Sequence, residues 1–140
     1  MTFVLDSSVT LSWCFEDERT SATVALLDRL VEAGAVAPSL WPLEVLNGLA
    51  MAERRNRLDA ERRQRLMTFL RGLPVVIDEE TAVHAWTATA QLAVRFGLTL
   101  YDAAYLELAQ RLGLPLATLD KALRTASAAL GVTVFGAVDG

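Results

Sequence analysis

Four carboxylates stand where a strand ends or a helix begins. Asp6 directly follows the apolar run Thr2 to Leu5, and Glu44 lies two residues after a helix-opening Pro42. Asp102 sits near the start of a late helix, and Asp120 directly follows the run Leu114 to Leu119. Taken singly, each has an ordinary structural use: Asp6 and Asp120 suit helix N-caps, Glu44 suits a first helical turn, and Thr99-x-x-Asp102 resembles a capping box. Gathered at one edge of a parallel sheet, the four would repel one another unless a divalent cation neutralised them. Hydroxyls stand beside two of the acids, Ser8 two residues after Asp6 and Thr118 two before Asp120, where they can orient a carboxylate or a bound water. Their competing roles are an N-cap for Ser8 and a strand-former for Thr118.

The chemistry open to these acids is narrowed by what the chain lacks. Cys14 is the only cysteine and His84 the only histidine, so an intramolecular disulfide, a Cys/His zinc centre within one chain and hydrolysis by paired histidines are all excluded. Any metal must be held by oxygen, which favours Mg²⁺ or Mn²⁺. The net charge is −4, yet without the four acids the chain holds 13 acidic and 13 basic residues, so the negative excess fits inside one metal-neutralised pocket. The basic residues are unevenly spread. Arg54, Arg55, Arg57, Arg62, Arg63, Arg65 and Arg71 all fall between positions 54 and 71, forming a local basic face.

Short apolar runs alternate with amphipathic segments, and these are the elements that must position the acids. Strands are expected at Thr2 to Leu5, 35–37, 75–77, 114–119 and 132–134, with helices at about 8–15, 20–33, 42–56, 60–70, 80–96, 100–112 and from Asp120 to about Leu130. The inward stripes read as Val24, Leu27, Leu30 and Val31; as Leu43, Leu46, Leu49 and Ala50; and as Leu66, Phe69 and Leu70. Such alternation implies an α/β fold, a three-layer α/β/α domain around a parallel sheet of four to five short strands, spanning residues 1–140 as one domain. In that architecture ligands bind beyond the carboxyl ends of the strands, where strand order reverses. At 53% apolar and 21% charged residues the chain should fold, and its longest charge-free stretches, 14 residues each, are too short to span a bilayer. The first basic residue is Arg19, so no signal or transit peptide is read and a cytoplasmic location, without a membrane partner, is expected.

The ordered set of motifs resembles a known family. Val4-Leu5-Asp6-Ser7-Ser8-Val9, with Trp13 beyond it, is similar to the opening of PIN-domain ribonucleases, especially the VapC-like toxins of bacterial toxin–antitoxin pairs. Pro38-Ser39-Leu40 with Glu44, Val45 and Asn47 is similar to the second motif of that family. Leu100 to Tyr105 followed by Ala109 is similar to its third, and Thr118-Leu119-Asp120 to its fourth. The resemblance implies an endoribonuclease in which Asp6, Glu44, Asp102 and Asp120 hold one or two Mg²⁺ or Mn²⁺ ions, with Asn47 joining Ser8 and Thr118 as supporting groups. Water attack at phosphorus should leave a 5′-phosphate and a 3′-hydroxyl. It also implies a cognate antitoxin packed against helices in the arginine-rich part of the chain, and a homodimer, for which the apolar helix 81–94 offers a face.

Other residues have plainer expectations. Arg54, Arg55, Arg57, Arg62, Arg63 and Arg65 suit RNA phosphates or an antitoxin, but Glu53, Asp59 and Glu61 are interleaved with them, so a solvated pair of helices competes equally. Asp78-Glu79-Glu80 reads as the first turn of a helix. His84 and Cys14 read as structural, and Lys121 as solvent-facing. Trp13, Trp41 and Trp86 read as core or interface, with Trp41, just ahead of Glu44, the one placed to stack on RNA. Two other classes share acids at strand ends. A phosphatase with an aspartyl nucleophile would want a second aspartate where Ser8 stands, and a receiver domain a lysine after a late strand, where Lys121 is only loosely placed. A non-catalytic binding module would use the acids only as caps.

Overall fold

The computed structural model describes residues 2–136, and within them five short strands form one parallel sheet. These are β1 (Val4–Leu5), β2 (Ala35–Ala37), β3 (Val75–Ile77), β4 (Leu116–Ala117) and β5 (Val134–Phe135), in the order β3-β2-β1-β4-β5. Val4 pairs with Val36 on one side and with Leu116 on the other, so β1 is central. Phe3, Val4 and Leu5 are accordingly fully buried. The chain winds from β1 through β2 to β3 in one direction and from β4 to β5 in the other. Right-handed crossovers then put the helices of the two halves on opposite faces, with the reversal between β1 and β4.

The helices are α1 (Ser7–Ser12), α2 (Ser21–Ala33), α3 (Trp41–Arg54), α4 (Ala60–Arg71), α5 (Thr81–His84), α6 (Ala90–Phe96), α7 (Leu100–Leu112) and α8 (Lys121–Ala129). A five-residue π-helical segment, Ala85–Thr89, joins α5 to α6, so the expected helix 80–96 is continuous but locally widened. None of these helices is long and apolar enough to cross a membrane. Helix α7 lies deepest, with residues 103–109 all buried between β1, β4, α6 and α8. One of them is Glu107, whose charge is met by Arg111 one turn later at 2.7 Å.

Several expected boundaries and faces are corrected. Helix α1 stops at Ser12 rather than Phe15, because the Trp13 indole turns to the Thr23 carbonyl (2.7 Å) and the chain leaves through a short 3-10 turn at Glu16–Glu18. The inward stripe of α2 is Thr23, Leu26 and Leu30, while Val24 and Val31 are exposed. A reciprocal Thr20–Thr23 cap sets that phase. On α3 the buried residues are Trp41, Val45, Leu49 and Ala52, and Leu43 is 73% exposed. Gly48 fixes this rotation, since a Cβ there would lie 2.5 Å from Leu11 Cδ1 of α1. On α4 only Leu70 is fully inside and Phe69 is exposed. Strand β5 falls at Val134–Phe135 rather than 132–134, in register with Leu116 and Ala117.

Asp78 is not in a helical turn. Its N–H extends the β2–β3 ladder to the Ala37 carbonyl, and its carboxylate pairs with Arg111 at 2.7 Å; α5 begins only at Thr81. His84 lies between Glu80 (3.3 Å) and Glu107 (3.6 Å), which ties α5 to α7 in a structural role. Cys14 is buried, and burial pushes its thiol up to about 11, so it is inert as expected.

Candidate active site

The β1–β4 reversal is built from backbone rungs that carry polar side chains at their ends. Leu5 is paired with Ala117, and the next rung is the Asp6 N–H bonded to the Ala117 carbonyl at 3.0 Å. This sets Asp6 beside Thr118. The Thr118 hydroxyl donates to Asp6 Oδ2 at 2.7 Å, and the Ser8 hydroxyl donates to the same oxygen at 2.7 Å. Each hydroxyl also accepts a backbone N–H, Thr118 from Asp120 and Ser8 from Leu119, both at 3.0 Å. Those amides use the hydroxyl lone pairs, so both protons point at the carboxylate.

Asp6 occupies the N-cap position of α1, but its side chain makes no cap bond. It is only 3% exposed. Burial holds its carboxyl above the usual range, against the lowering effect of the Ser8 and Thr118 hydroxyls, and the nearby Glu44 charge adds to the rise. Glu44 likewise caps nothing. Its Oε1 accepts the Tyr105 hydroxyl at 2.7 Å and the Ser7 hydroxyl at 3.3 Å, which fixes the start of α3 against α1 and α7. Burial, Asp6 and Glu44 together raise the Tyr105 phenol, so it stays a donor.

Asp102 lies in the first turn of α7, where only half of the expected capping box forms: the Thr99 hydroxyl accepts the Asp102 N–H at 3.1 Å. The Asp102 carboxyl is pushed up to about 6, first by burial and then by the charges of Asp120, Asp6 and Glu44. All four acids therefore act within one electrostatic neighbourhood. Asp120 does double duty, since its Oδ2 accepts the Leu123 N–H at 2.9 Å and caps α8. Of the four acids, only Asp120 caps a helix with its side chain.

Tyr105 and Ser7 were not read as supports from sequence, although Tyr105 stands three residues after Asp102 on the same helix face and Ser7 directly follows Asp6. Arg124 was also missed; its guanidinium donates to the Thr118 carbonyl at 3.1 Å. Asn47 shares a face of α3 with Glu44 but is exposed and bonds none of the acids among the described residues. Trp41 is buried with its indole on Thr10 Oγ1 at 3.0 Å, so it offers no stacking surface.

The arginines lie elsewhere, along α3 and α4. Arg57 pairs with Asp17 and Glu18 and lies over the Phe15 ring, Arg63 pairs with Glu53, Arg65 faces Glu61, and Arg62 reaches the Cys14 carbonyl. Arg54 and Arg55 are exposed and make no ion pair among the described residues. A cavity of about 550 Å³ opens between α3, α4 and β3, lined by Trp41, Val45, Leu46, Met67 and Ile77 but by none of the four acids.

The model of the PIN domain family matches residues 3–128. The chain belongs to the PIN domain family. No curated protein matches this PIN domain significantly. Among solved structures it is similar to PAE2754 from Pyrobaculum aerophilum, at 23% identity over 96% of this chain and 83% of that one, with a TM-score of 0.69. It is similar to FitAcB from Neisseria gonorrhoeae at 20% identity over 96% and 97% of the two chains, with a TM-score of 0.67. For VapBC2 from Rickettsia felis, bound to a DNA fragment from their promoter, the values are 11%, 97%, 100% and 0.63. At these identities the likeness is one of fold.

PIN domains are generally nucleases that depend on divalent metal, and the donor set of this PIN domain suits such an ion: carboxylate oxygens with no thiolate or imidazole beside them. No three His, Cys, Asp or Glu side chains among the described residues close around a single point. The chemical fit rests on the donor set and its placement: Asp6 and Asp120 leave neighbouring strand ends tied through Thr118, and Glu44 is tied to α7, the helix of Asp102, through Tyr105.

Proposed function

We propose that this PIN domain is a Mg²⁺- or Mn²⁺-dependent endoribonuclease acting as the toxin of a toxin–antitoxin pair. The observation that carries the reading is the strand reversal between β1 and β4, where one hydroxyl, Thr118, holds Asp6 at 2.7 Å and accepts the Asp120 N–H at 3.0 Å, while Tyr105 of α7 holds Glu44 at 2.7 Å. Asp6, Glu44, Asp102 and Asp120 are the residues that would hold the ion. When bound, the ion supplies a water nucleophile at neutral pH and charge to stabilise the departing oxygen. The chain's own residues do the positioning. Ser8 and Thr118 hold the Asp6 carboxylate by two hydroxyl protons, Tyr105 and Ser7 hold Glu44, and the α8 cap holds Asp120. Hydrolysis on this reading leaves a 5′-phosphate and a 3′-hydroxyl, and its place of action is the cytoplasm.

The partners follow from the same reading. Structural neighbours include FitAcB, VapBC2 and a toxin–antitoxin complex from Klebsiella pneumoniae, the last at 17% identity over 85% of this chain and 87% of that one, with a TM-score of 0.56. The apolar cavity between α3 and α4, with exposed Arg54 and Arg55 further along α3, suits an antitoxin segment that is apolar on one face and acidic at its edge. Val83, Val94 and Trp86, the last 87% exposed, give the helix from α5 to α6 an apolar strip suited to a homodimer.

The test is cleavage of mixed cellular RNA by the purified chain in Mg²⁺ or Mn²⁺, beside EDTA and an Asp6→Asn control. The reading expects cleavage that needs the metal and disappears in the variant. Absence of Mn²⁺ binding by calorimetry together with intact RNA would overturn it.

A further inference from the structure

The first turn of α7, which carries Asp102, also carries an aromatic side chain that no contact described so far explains. Tyr101 directly precedes Asp102 and is 64% exposed, beside Leu100 at 55%, on a helix whose residues 103–109 are all buried. Its hydroxyl bonds no described residue, whereas the Tyr105 hydroxyl is engaged by Glu44. Neither side chain is taken up by the core, so both are available to a ligand that approaches Asp102.

Helix geometry gives the direction. Tyr101 and Tyr105 are four residues apart, so they occupy one face of α7, a turn apart. Tyr105 faces Glu44 and Asp6. Tyr101 therefore continues that face beyond the acids toward solvent, and helical side chains lean toward the N-terminus, which carries its ring further out. From the β4 side come Leu119, also exposed, and Lys121, which follows Asp120 into solvent. The turns that carry Asp102 and Asp120 thus also expose an aromatic ring, an aliphatic side chain and a lysine ammonium.

We infer that Tyr101 stacks on a nucleobase next to the scissile phosphate of single-stranded RNA. The inference rests on the ribonuclease reading and adds to it a positioning residue. A phosphodiester drawn to the acids leaves its bases pointing away from the charge, where an apolar ring is the favourable neighbour. Stacking on one exposed ring requires an unstacked base, so single strands are preferred over duplex, and it tolerates any base because each has a π-face. Lys121 lies on the outer side, where the next phosphate of the strand would pass.

The test compares the whole chain with Tyr101→Ala, Tyr101→Phe and Tyr101→Trp. The probe is a short single-stranded oligoribonucleotide spanning the strongest cut found in cellular RNA, in Mn²⁺. Tyr101→Ala should raise KM about 5- to 150-fold, the range of a lost base stack, with kcat within about twofold. Tyr101→Phe and Tyr101→Trp should keep the wild-type KM, and Mn²⁺ affinity by calorimetry should be the same in all four. An abasic nucleotide moved along the probe should cost the wild type that factor at one position and cost Tyr101→Ala nothing there. A wild-type KM for Tyr101→Ala, or equal abasic penalties in both proteins at every position, overturns the inference and leaves the nuclease standing. Loss of self-association or antitoxin binding alone in Tyr101→Ala overturns it in the same way. A wild type that binds no Mn²⁺ and cuts no RNA overturns the ribonuclease reading itself, and the stacking role falls with it.

Discussion

Thr118 Oγ1 lies 2.7 Å from Asp6 Oδ2, a bond that spans 112 positions of sequence and runs directly between the ends of two neighbouring strands. Because Thr118 also accepts the Asp120 N–H, one hydroxyl sets the positions of two of the four acids.

Replacing Thr118 by Val keeps the branched shape and removes that hydroxyl. Supporting hydrogen bonds of this kind are worth about 10–100-fold in metal affinity or activity, so Thr118→Val should weaken Mn²⁺ binding by that factor and Thr118→Ser should restore it. Calorimetry on the two variants decides. Equal affinities for Val and wild type would remove Thr118 from the site.

Asp102 should behave as a residue kept at a cost to stability. Its carboxylate is disfavoured by burial and then by three neighbouring acids, so Asp102→Asn should melt at a higher temperature than the wild type without metal. Added Mn²⁺ should raise the wild-type melting temperature and leave the variant unmoved. A variant that still responds to Mn²⁺ as the wild type does would show that Asp102 holds no ion.

The pH dependence has a definite sign. Unfolded, Asp102 loses its proton near its ordinary value of 3.8; folded, it does so at about 6. Between these values the folded chain binds more protons, so the stability of wild type relative to Asp102→Asn should fall as pH rises from about 4 to about 6, and then level off. Mn²⁺ must displace the same proton, so its affinity should climb over the approach to pH 6. Urea midpoints for both proteins and calorimetry across that window measure the two slopes. A flat difference between the proteins would refute the raised carboxyl.

Arg111 links the end of β3 to α7 through Asp78 and the buried Glu107. Arg111→Met would leave Asp78 unpaired and Glu107 with His84 alone, and should cost about 3–5 kcal/mol in urea denaturation. Arg111→Met combined with Glu107→Gln should recover part of that loss. A single variant as stable as the wild type would mean that the pair carries no net weight.

What could be read in the sequence, and what could not, divides along physical lines. The acids at strand ends were legible because an apolar run that stops at a carboxylate marks both a strand and its exit, as at Leu5-Asp6. Matching such exits to one edge needs only the rule that parallel sheets bind ligands there. The rotation of α3 was hidden, because its leucines at 43, 46 and 49 form as good a stripe as Trp41, Val45 and Leu49. The choice was made by Gly48, whose missing side chain lets Leu11 of α1 approach. Asp78 misled for a similar reason: an acid ahead of a helix looks like a dipole partner until a distant arginine, Arg111, claims it. Tyr105 was visible as a letter, but its grip on Glu44 depends on α3 and α7 meeting, which no local pattern encodes.

The place of β1 at the centre of the sheet has a consequence for the life of the molecule as it is made. Its partner β4 and the last acid, Asp120, lie near the far end of the described chain, and strand pairing over so long a loop comes late in folding. Synthesis runs from the N-terminus, so a partly made chain holds Asp6 and Glu44 with neither Thr118 nor Asp120 to complete the arrangement. The arrangement of the acids is therefore complete only once β4 has paired with β1, and any segment that ends before Thr118 lacks it.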